Sequence, residues 1–184
     1  MKKDLNTYVK NNLARELEEI NNSNRKSYYD ELDEFEKAII YYYTEDGYES
    51  LNETLRNGGK ITELGKHLNY SLSKLPNYKL LCYRTIKCSK TKLKKYYDAF
   101  TNDLTVIENS FLSCSKSKSL SLYFSESPLF IIKSKRGKEI EKIAKFGIDS
   151  GQNEKEVLFK SNSKFKVLDI KEENKKIVIT LEEI

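Results

Sequence analysis

The order in which two hydrophobic periodicities appear limits this chain more than any single motif. Roughly the first 75 residues carry helical spacing, and the remainder carries strand-like runs. Leu5, Tyr8, Val9, Leu13 and Leu17 recur at helical intervals in a first amphipathic segment from Leu5 to Ile20. The polar stretch NNSNRKS (21–27) interrupts it, and Ser27 is placed to cap the next helix. In that helix Leu32, Phe35, Ile39, Tyr42 and Tyr43 form an apolar stripe ending at Gly47. YESLNETLR, stopped by Gly58-Gly59, and ITELGKHLNYSLSKL predict two more helices. After Pro76 the runs YKLLCYRTIKC (78–88), TVIENSFLSCS (105–115), PLFIIKSK (128–135), EKEVLF, KFKVLDIKEE and KKIVITLEE read as strands. Helices followed by strands predict an α+β domain, not a series of βαβ units. Residues 1–75 are expected as the helical N-terminal part of one domain, and residues 76–184 as its β-rich core.

A chain of 184 residues suits one domain of ordinary size. It is polar yet globular, with 38% hydrophobic and 33% charged residues, and 13 Tyr and 8 Phe supply bulk where Trp is absent. No run approaches the ~18 consecutive apolar residues of a membrane span, so no membrane partner is expected. The opening MKKDLNTYVKNNLARELEEI has no secretory h-region and no small-residue cleavage site. That predicts a cytoplasmic chain, or one delivered without a classical signal peptide. Cys82, Cys88 and Cys114 lack metal-ligand spacing and read as reduced, mostly buried residues. His67, the single histidine, is expected at the surface or a helix end and has no partner for zinc or a Cys–His dyad. Metal, serine and cysteine hydrolase chemistry are thereby disfavoured, and no metal is expected. The absence of GxGxxG removes a Rossmann dinucleotide site. The net charge of +5 gathers in lysine runs at 87–95, 115–119 and 133–138. These read first as solvated faces, second as contacts for an acidic partner or nucleic acid.

Three short pieces carry chemistry. In YKLLCYRTIKC, Arg84 shares a strand face with Leu80, Cys82 and Ile86, an expensive place for a guanidinium unless it meets an anion such as phosphate. In FLSCS, Ser113 and Ser115 stand at i and i+2 behind Phe111, where hydroxyls bond a carboxylate or ligand without adding charge. In GQNEKEVLF (151–159), Glu154 and Glu156 are two apart at the entry to an apolar run. On an extended strand they would share one face, and two like charges there repel. Each piece alone has a bland reading as a salt-bridged arginine, a strand end or a surface charge pair.

Taken in order, an arginine strand, an aromatic-x-Ser-x-Ser strand and Glu-x-Glu-Val-Leu resemble the mono-ADP-ribosyltransferase family with the Arg-Ser-Glu pattern, which includes bacterial toxins. YYTEDGYESLNETLR (42–56) is similar to that family's helical stretch, and FIIKSKRGKEI followed by a loop and EKEVLF resembles its strand, loop and catalytic strand. The resemblance covers roughly residues 35 to 184, with Cys114 standing where the family usually has threonine. It implies helices packed on a mixed two-sheet β core that binds NAD and splits it at the nicotinamide–ribose bond. It implies Glu156 as the catalytic carboxylate, Arg84 on the pyrophosphate, Ser113 orienting Glu156 and the ribose, and Ser115 supporting the strand. Phe124 and Phe130 are candidates for stacking on the nicotinamide. Loop 145–153 would recognise the acceptor, with Gly147 and Gly151 permitting its turns.

In this family the residue two before the catalytic glutamate meets the acceptor. A glutamate at 154 implies a guanidinium, hence protein arginine, whose attacking nitrogen needs a base. Nucleic acid remains an alternative acceptor, since the lysine runs suit a polyanion. A non-catalytic basic binding module is the competing class. A toxin, phage or defence setting fits equally, and an antitoxin or inhibitor partner is expected if the enzyme acts in the cell that makes it.

Overall fold

The structure is a computed structural model that describes residues 1–87, 90–124, 127–173 and 176–184. It divides into two compact units, Met1–Pro76 with Lys138–Glu156, and Asn77–Gly137 with Val157–Ile184.

The first unit is built on helices α1 (Lys2–Asn12), α2 (Ala14–Asn21), α3 (Glu34–Tyr42), α4 (Tyr48–Arg56) and α5 (Glu63–Lys74). The single helix expected from Leu5 to Ile20 is broken at Leu13, whose φ of −130° and ψ of 37° lie outside the helical region. Leu13 is nevertheless buried, and beyond it Glu16 turns inward while Leu17 is only half-buried. The buried Glu16 is bonded by Arg15, which makes that placement tolerable. Ser27 does not cap α3. It closes a 3-10 turn, Asn24–Ser27, by donating to the Asn24 carbonyl. Asp33 is the cap: it accepts Glu36 N–H while Glu36 accepts Asp33 N–H, each at 3.0 Å. Such a reciprocal pair satisfies two orphan donors where Ser27 would satisfy one. Glu36 is fully buried and also meets Lys74. A π turn, Tyr43–Gly47, joins α3 to α4.

His67 is not a surface residue. It sits in α5 at 5% exposure, its ring 5.3 Å from that of Tyr8, and desolvation depresses its pKa. The helical spacing of α5 turns it inward together with Leu64, Leu68 and Leu72.

The second unit contains β1 (Leu81–Thr85), α6 (Lys90–Thr101), β2 (Thr105–Glu108), β3 (Leu112–Ser115), α7 (Lys118–Phe124), β4 (Leu129–Lys133), β7 (Ser163–Glu173) and β8 (Lys176–Glu183). β5 (Lys138–Glu139) belongs to the first unit, and β6 (Glu156–Phe159) begins at the last residue of that unit. The strands follow one hydrogen-bonded order, β2-β7-β8-β4-β1-β3-β6-β5. The α+β class is borne out, with the strands expected in two sheets running in that single order. β4 and β8 are parallel; β1 is antiparallel to both β4 and β3.

One predicted strand is really two. In TVIENSFLSCS, β2 pairs with β7 and β3 pairs with β1, while Ser110 and Phe111 between them are buried. Helix α6 was unforeseen, because its lysines obscure an inward stripe of Leu93, Tyr96 and Ala99. That stripe packs in one core with Cys82, Phe130, Ile132, Phe159, Phe165 and Ile179. Cys82 and Cys114 are buried free thiols, as expected, and Cys88 lies outside the described residues. Among the described residues no helix is long and apolar enough to cross a membrane.

Candidate active site

Arg84 occupies the fourth position of β1. Strand alternation gives it the face of Cys82, its cross-strand neighbour is Phe130, and the residue as a whole is half-buried. Its Nη1 donates to the Ser113 carbonyl on β3, which brings the predicted arginine and the first predicted serine together through the backbone. Ser115 stands opposite Tyr83 and is buried, and its Oγ accepts Ser117 N–H at 3.1 Å. Its hydroxyl thus fixes the turn that leads from β3 into α7.

The two aromatic candidates fare differently. Phe130 is 2% exposed and packs on Tyr96 with ring centroids 4.9 Å apart, so its faces are committed to the core. Phe124 ends α7, and its side chain lies outside the described residues.

The glutamates lie on the other unit, and the division between units falls at the peptide bond from Glu156 to Val157. The strand begins at Glu156, not earlier. Lys155 has a φ of +53°, in the left-handed region, and its N–H is held by Asn153 Oδ1 at 2.8 Å. The expectation that Glu154 and Glu156 share a strand face is therefore overturned, since the alternation rule holds only through extended backbone. Glu156 is buried, and its carbonyl accepts Ile140 N–H at 3.1 Å. Glu154 is half-buried, its N–H bonded to the Phe146 carbonyl at 2.9 Å, and burial raises its pKa. The two glutamates thus have different backbone placements, and burial alone raises the proton affinity of Glu154.

Loop 145–153 exposes Phe146 and Ile148. Gly147 is required there: a Cβ would lie 1.8 Å from the Glu141 carbonyl oxygen, which already accepts Ile148 N–H at 3.0 Å. Gly151 has open space around it and needs no special freedom. Sequence reasoning gave no role to the side chains that hold the start of this loop, Tyr41, Thr44 and Glu45, or to Arg25, which holds Ile143 and Ala144 just before it. Their signal lay within YYTEDGYESLNETLR and the segment before it. Among the described residues no cluster of His, Cys, Asp and Glu is arranged to hold a metal.

A family model described as ADP-ribosyltransferase exoenzyme matches residues 17–184. The chain belongs to that family. It is an NAD-dependent ADP-ribosyltransferase, and NAD is the substrate it consumes. No curated protein sequence matches the chain. Its fold is similar to that of the ADP-ribosyltransferase HopU1 of Pseudomonas syringae, with a TM-score of 0.77 and 19% identity over 91% of this chain and 85% of that one. Exoenzyme S from Pseudomonas aeruginosa, solved with human 14-3-3 protein beta and carba-NAD, gives a TM-score of 0.78 and 15% identity over 98% of this chain and 88% of that one. The ADP-ribosyltransferase Vis, a toxin from Vibrio splendidus solved with agmatine, gives 0.65 and 22% identity over 92% and 83%.

Proposed function

We propose that this ADP-ribosyltransferase modifies the guanidinium of a protein arginine. Glu154 carries that reading. It is a half-buried carboxyl two residues before Glu156, held by its own backbone on a loop, with its proton affinity raised by burial. Such a group is a better proton acceptor from an attacking nitrogen than an ordinary, fully solvated carboxylate. The binding of agmatine, itself a guanidine, by the Vis toxin supports the same acceptor chemistry.

In the proposed reaction Arg84 holds the pyrophosphate of NAD, Ser113 orients the ribose and Glu156, and Ser115 supports β3. The bond between ribose and nicotinamide breaks with its electron pair leaving on nicotinamide. The ribose left behind has oxocarbenium character, which the Glu156 carboxylate stabilises while binding the 2′-hydroxyl. An acceptor nitrogen then bonds the anomeric carbon, and its proton passes to Glu154.

A nucleic-acid acceptor draws less support. Lys94, Lys95 and Lys135 pair with Asp98, Glu108 and Glu182, and Lys138 is buried on the Leu75 carbonyl, so part of the charge in those runs is already engaged.

The test is transfer of label from adenylate-labelled NAD to a cell lysate and to agmatine, followed by protease or nuclease digestion. Protease-sensitive label and agmatine labelling are expected. Glu156→Gln should lower both transfer and nicotinamide release by about 10²-fold or more, the scale of removing a transition-state stabiliser. Glu154→Gln should lose transfer while still releasing nicotinamide. Label removed by nuclease alone would reject the arginine acceptor.

A further inference from the structure

The segment from β5 to β6 is anchored at two separate points, and each anchor serves a different carboxylate. At one, Lys145 is held through backbone and side chain together. Its N–H donates to Thr44 Oγ1 at 2.9 Å, and its ammonium donates to Tyr41 Oη at 3.0 Å and Glu45 Oε1 at 2.8 Å. The same ammonium lies 5.5 Å from the centroid of the Tyr41 ring. Phe146, the next residue, carries the carbonyl that accepts Glu154 N–H at 2.9 Å. A single peptide unit therefore links the clamped lysine to the atom that holds Glu154. At the other anchor, Ile140 N–H donates to the carbonyl of Glu156.

The clamp is itself braced. Tyr41 lies in the last turn of α3 while Thr44 and Glu45 lie in the π turn that follows it, and all three reach Lys145. Thr44 Oγ1 donates to the Tyr41 carbonyl at 2.9 Å while accepting from Lys145, so its orientation is fixed from both sides. Glu45 is shared with Arg15 at 2.6 Å, and Arg15 also binds the buried Glu16. Arg25 donates to the carbonyls of Ile143 at 3.0 Å and Ala144 at 3.4 Å, immediately before the clamped residue. Lys145 is 37% exposed and Glu45 16%, so the pair is partly open to solvent and its contribution to stability is modest. So many partners converging on one partly exposed lysine make sense as a means of holding a place in space.

We propose that Lys145, gripped by Tyr41, Thr44 and Glu45, is a positioning residue that sets Glu154 for the acceptor separately from Glu156. This rests on the reading of Glu154 as the group that meets the acceptor. The end of α3 and the π turn, through Tyr41, Thr44 and Glu45, then govern how well the enzyme transfers ADP-ribose, while the cleavage of NAD answers to the second anchor. Loosening the first anchor shifts the partition of NAD from transfer toward hydrolysis.

The experiment uses the full chain with NAD and agmatine, and compares wild type, Lys145→Met and Lys145→Arg. Methionine keeps the length of the stem and loses the ammonium; arginine restores the charge and its donors. In Lys145→Met the ratio of agmatine modified to NAD hydrolysed should fall about tenfold, since misplacement on the scale of 1 Å costs up to about 10²-fold in rate. Lys145→Arg should recover it to within a few-fold of wild type. Amide exchange measured in parallel should quicken at Glu154 in Lys145→Met and stay slow at Val157–Phe159. An unchanged ratio, an equal fall in transfer and hydrolysis, or failure of arginine to rescue would each overturn the proposal. Wild type that hydrolyses NAD and ignores agmatine would instead reject the guanidinium acceptor. The positioning claim is then decided by exchange at Glu154 alone, and an unaltered rate in Lys145→Met sinks it.

Discussion

Glu154 and Glu156 are separated by one residue, yet Lys155 in the left-handed region gives them unlike surroundings. Glu154 keeps its proton to higher pH in the folded protein than in the unfolded chain, because burial disfavours its charged form. The linkage sign follows: this group favours folding below its unfolded pKa, and that contribution fades as pH rises through the raised folded value. For a base the same shift delays activity. Transfer to agmatine should therefore fall on acidification while ordinary surface glutamates are still ionised, and nicotinamide release should not share that limb. Parallel pH profiles of the two reactions test this, with Glu154→Gln expected to lack the limb. A limb at the pKa of an ordinary glutamate would count against a buried base. At this scale the structure joins two residues that the sequence singled out, Arg84 and Ser113, through a backbone carbonyl, and starts the last of the three pieces as a strand only at Glu156. The conformation of Lys155 was not legible in the sequence, because left-handed geometry at a lysine is imposed by bonds such as that to Asn153 and has no signal in the residue itself.

Among the elements, the loop before β6 makes the sharpest distinction between two residues of one kind. Gly147 and Gly151 look equivalent in sequence, but only Gly147 approaches another backbone, that of Glu141. Gly147→Ala should push Glu141 and Ile148 apart and remove their hydrogen bond, with a stability loss of about 1–3 kcal/mol and a clear fall in transfer. Gly151→Ala should be neutral within about 0.5 kcal/mol, as surface changes usually are. Urea unfolding midpoints and agmatine labelling of the two variants decide it; equal behaviour would contradict the close approach. Tertiary partners likewise explain the elements that sequence misplaced. TVIENSFLSCS has strand propensity throughout, yet β2 and β3 answer to different neighbours, β7 and β1. In α6 the surface lysines obscure the pattern, and among the described residues three, Leu93, Tyr96 and Ala99, turn inward. The break at Leu13 is invisible to periodicity, which reads through it.

At the scale of the molecule, the chain leaves the helical unit at Pro76 and returns to it for residues 138–156 before passing into β6. The change of composition at Pro76 is visible along the sequence. The return is written only in contacts, such as Arg25 with the carbonyls of Ile143 and Ala144, whose partners are 118 and 119 residues apart. Both glutamates lie on the returning segment, and the bonds that tie it to helices which carry none of the proposed NAD-binding residues fall at residues 143–145, on the side of Glu154. Leu68, on α5, is fully buried in that unit. Leu68→Ala should destabilise it by about 2–5 kcal/mol, the range for such cavities. If the unit opens cooperatively, amide exchange should quicken together in residues 1–76 and 138–156, despite the long stretch of chain between them. Residues 77–137 should change far less. Exchange of 138–156 that instead tracks 77–137 would place the returning segment with the strands, and the dependence of Glu154 on the helices would be lost.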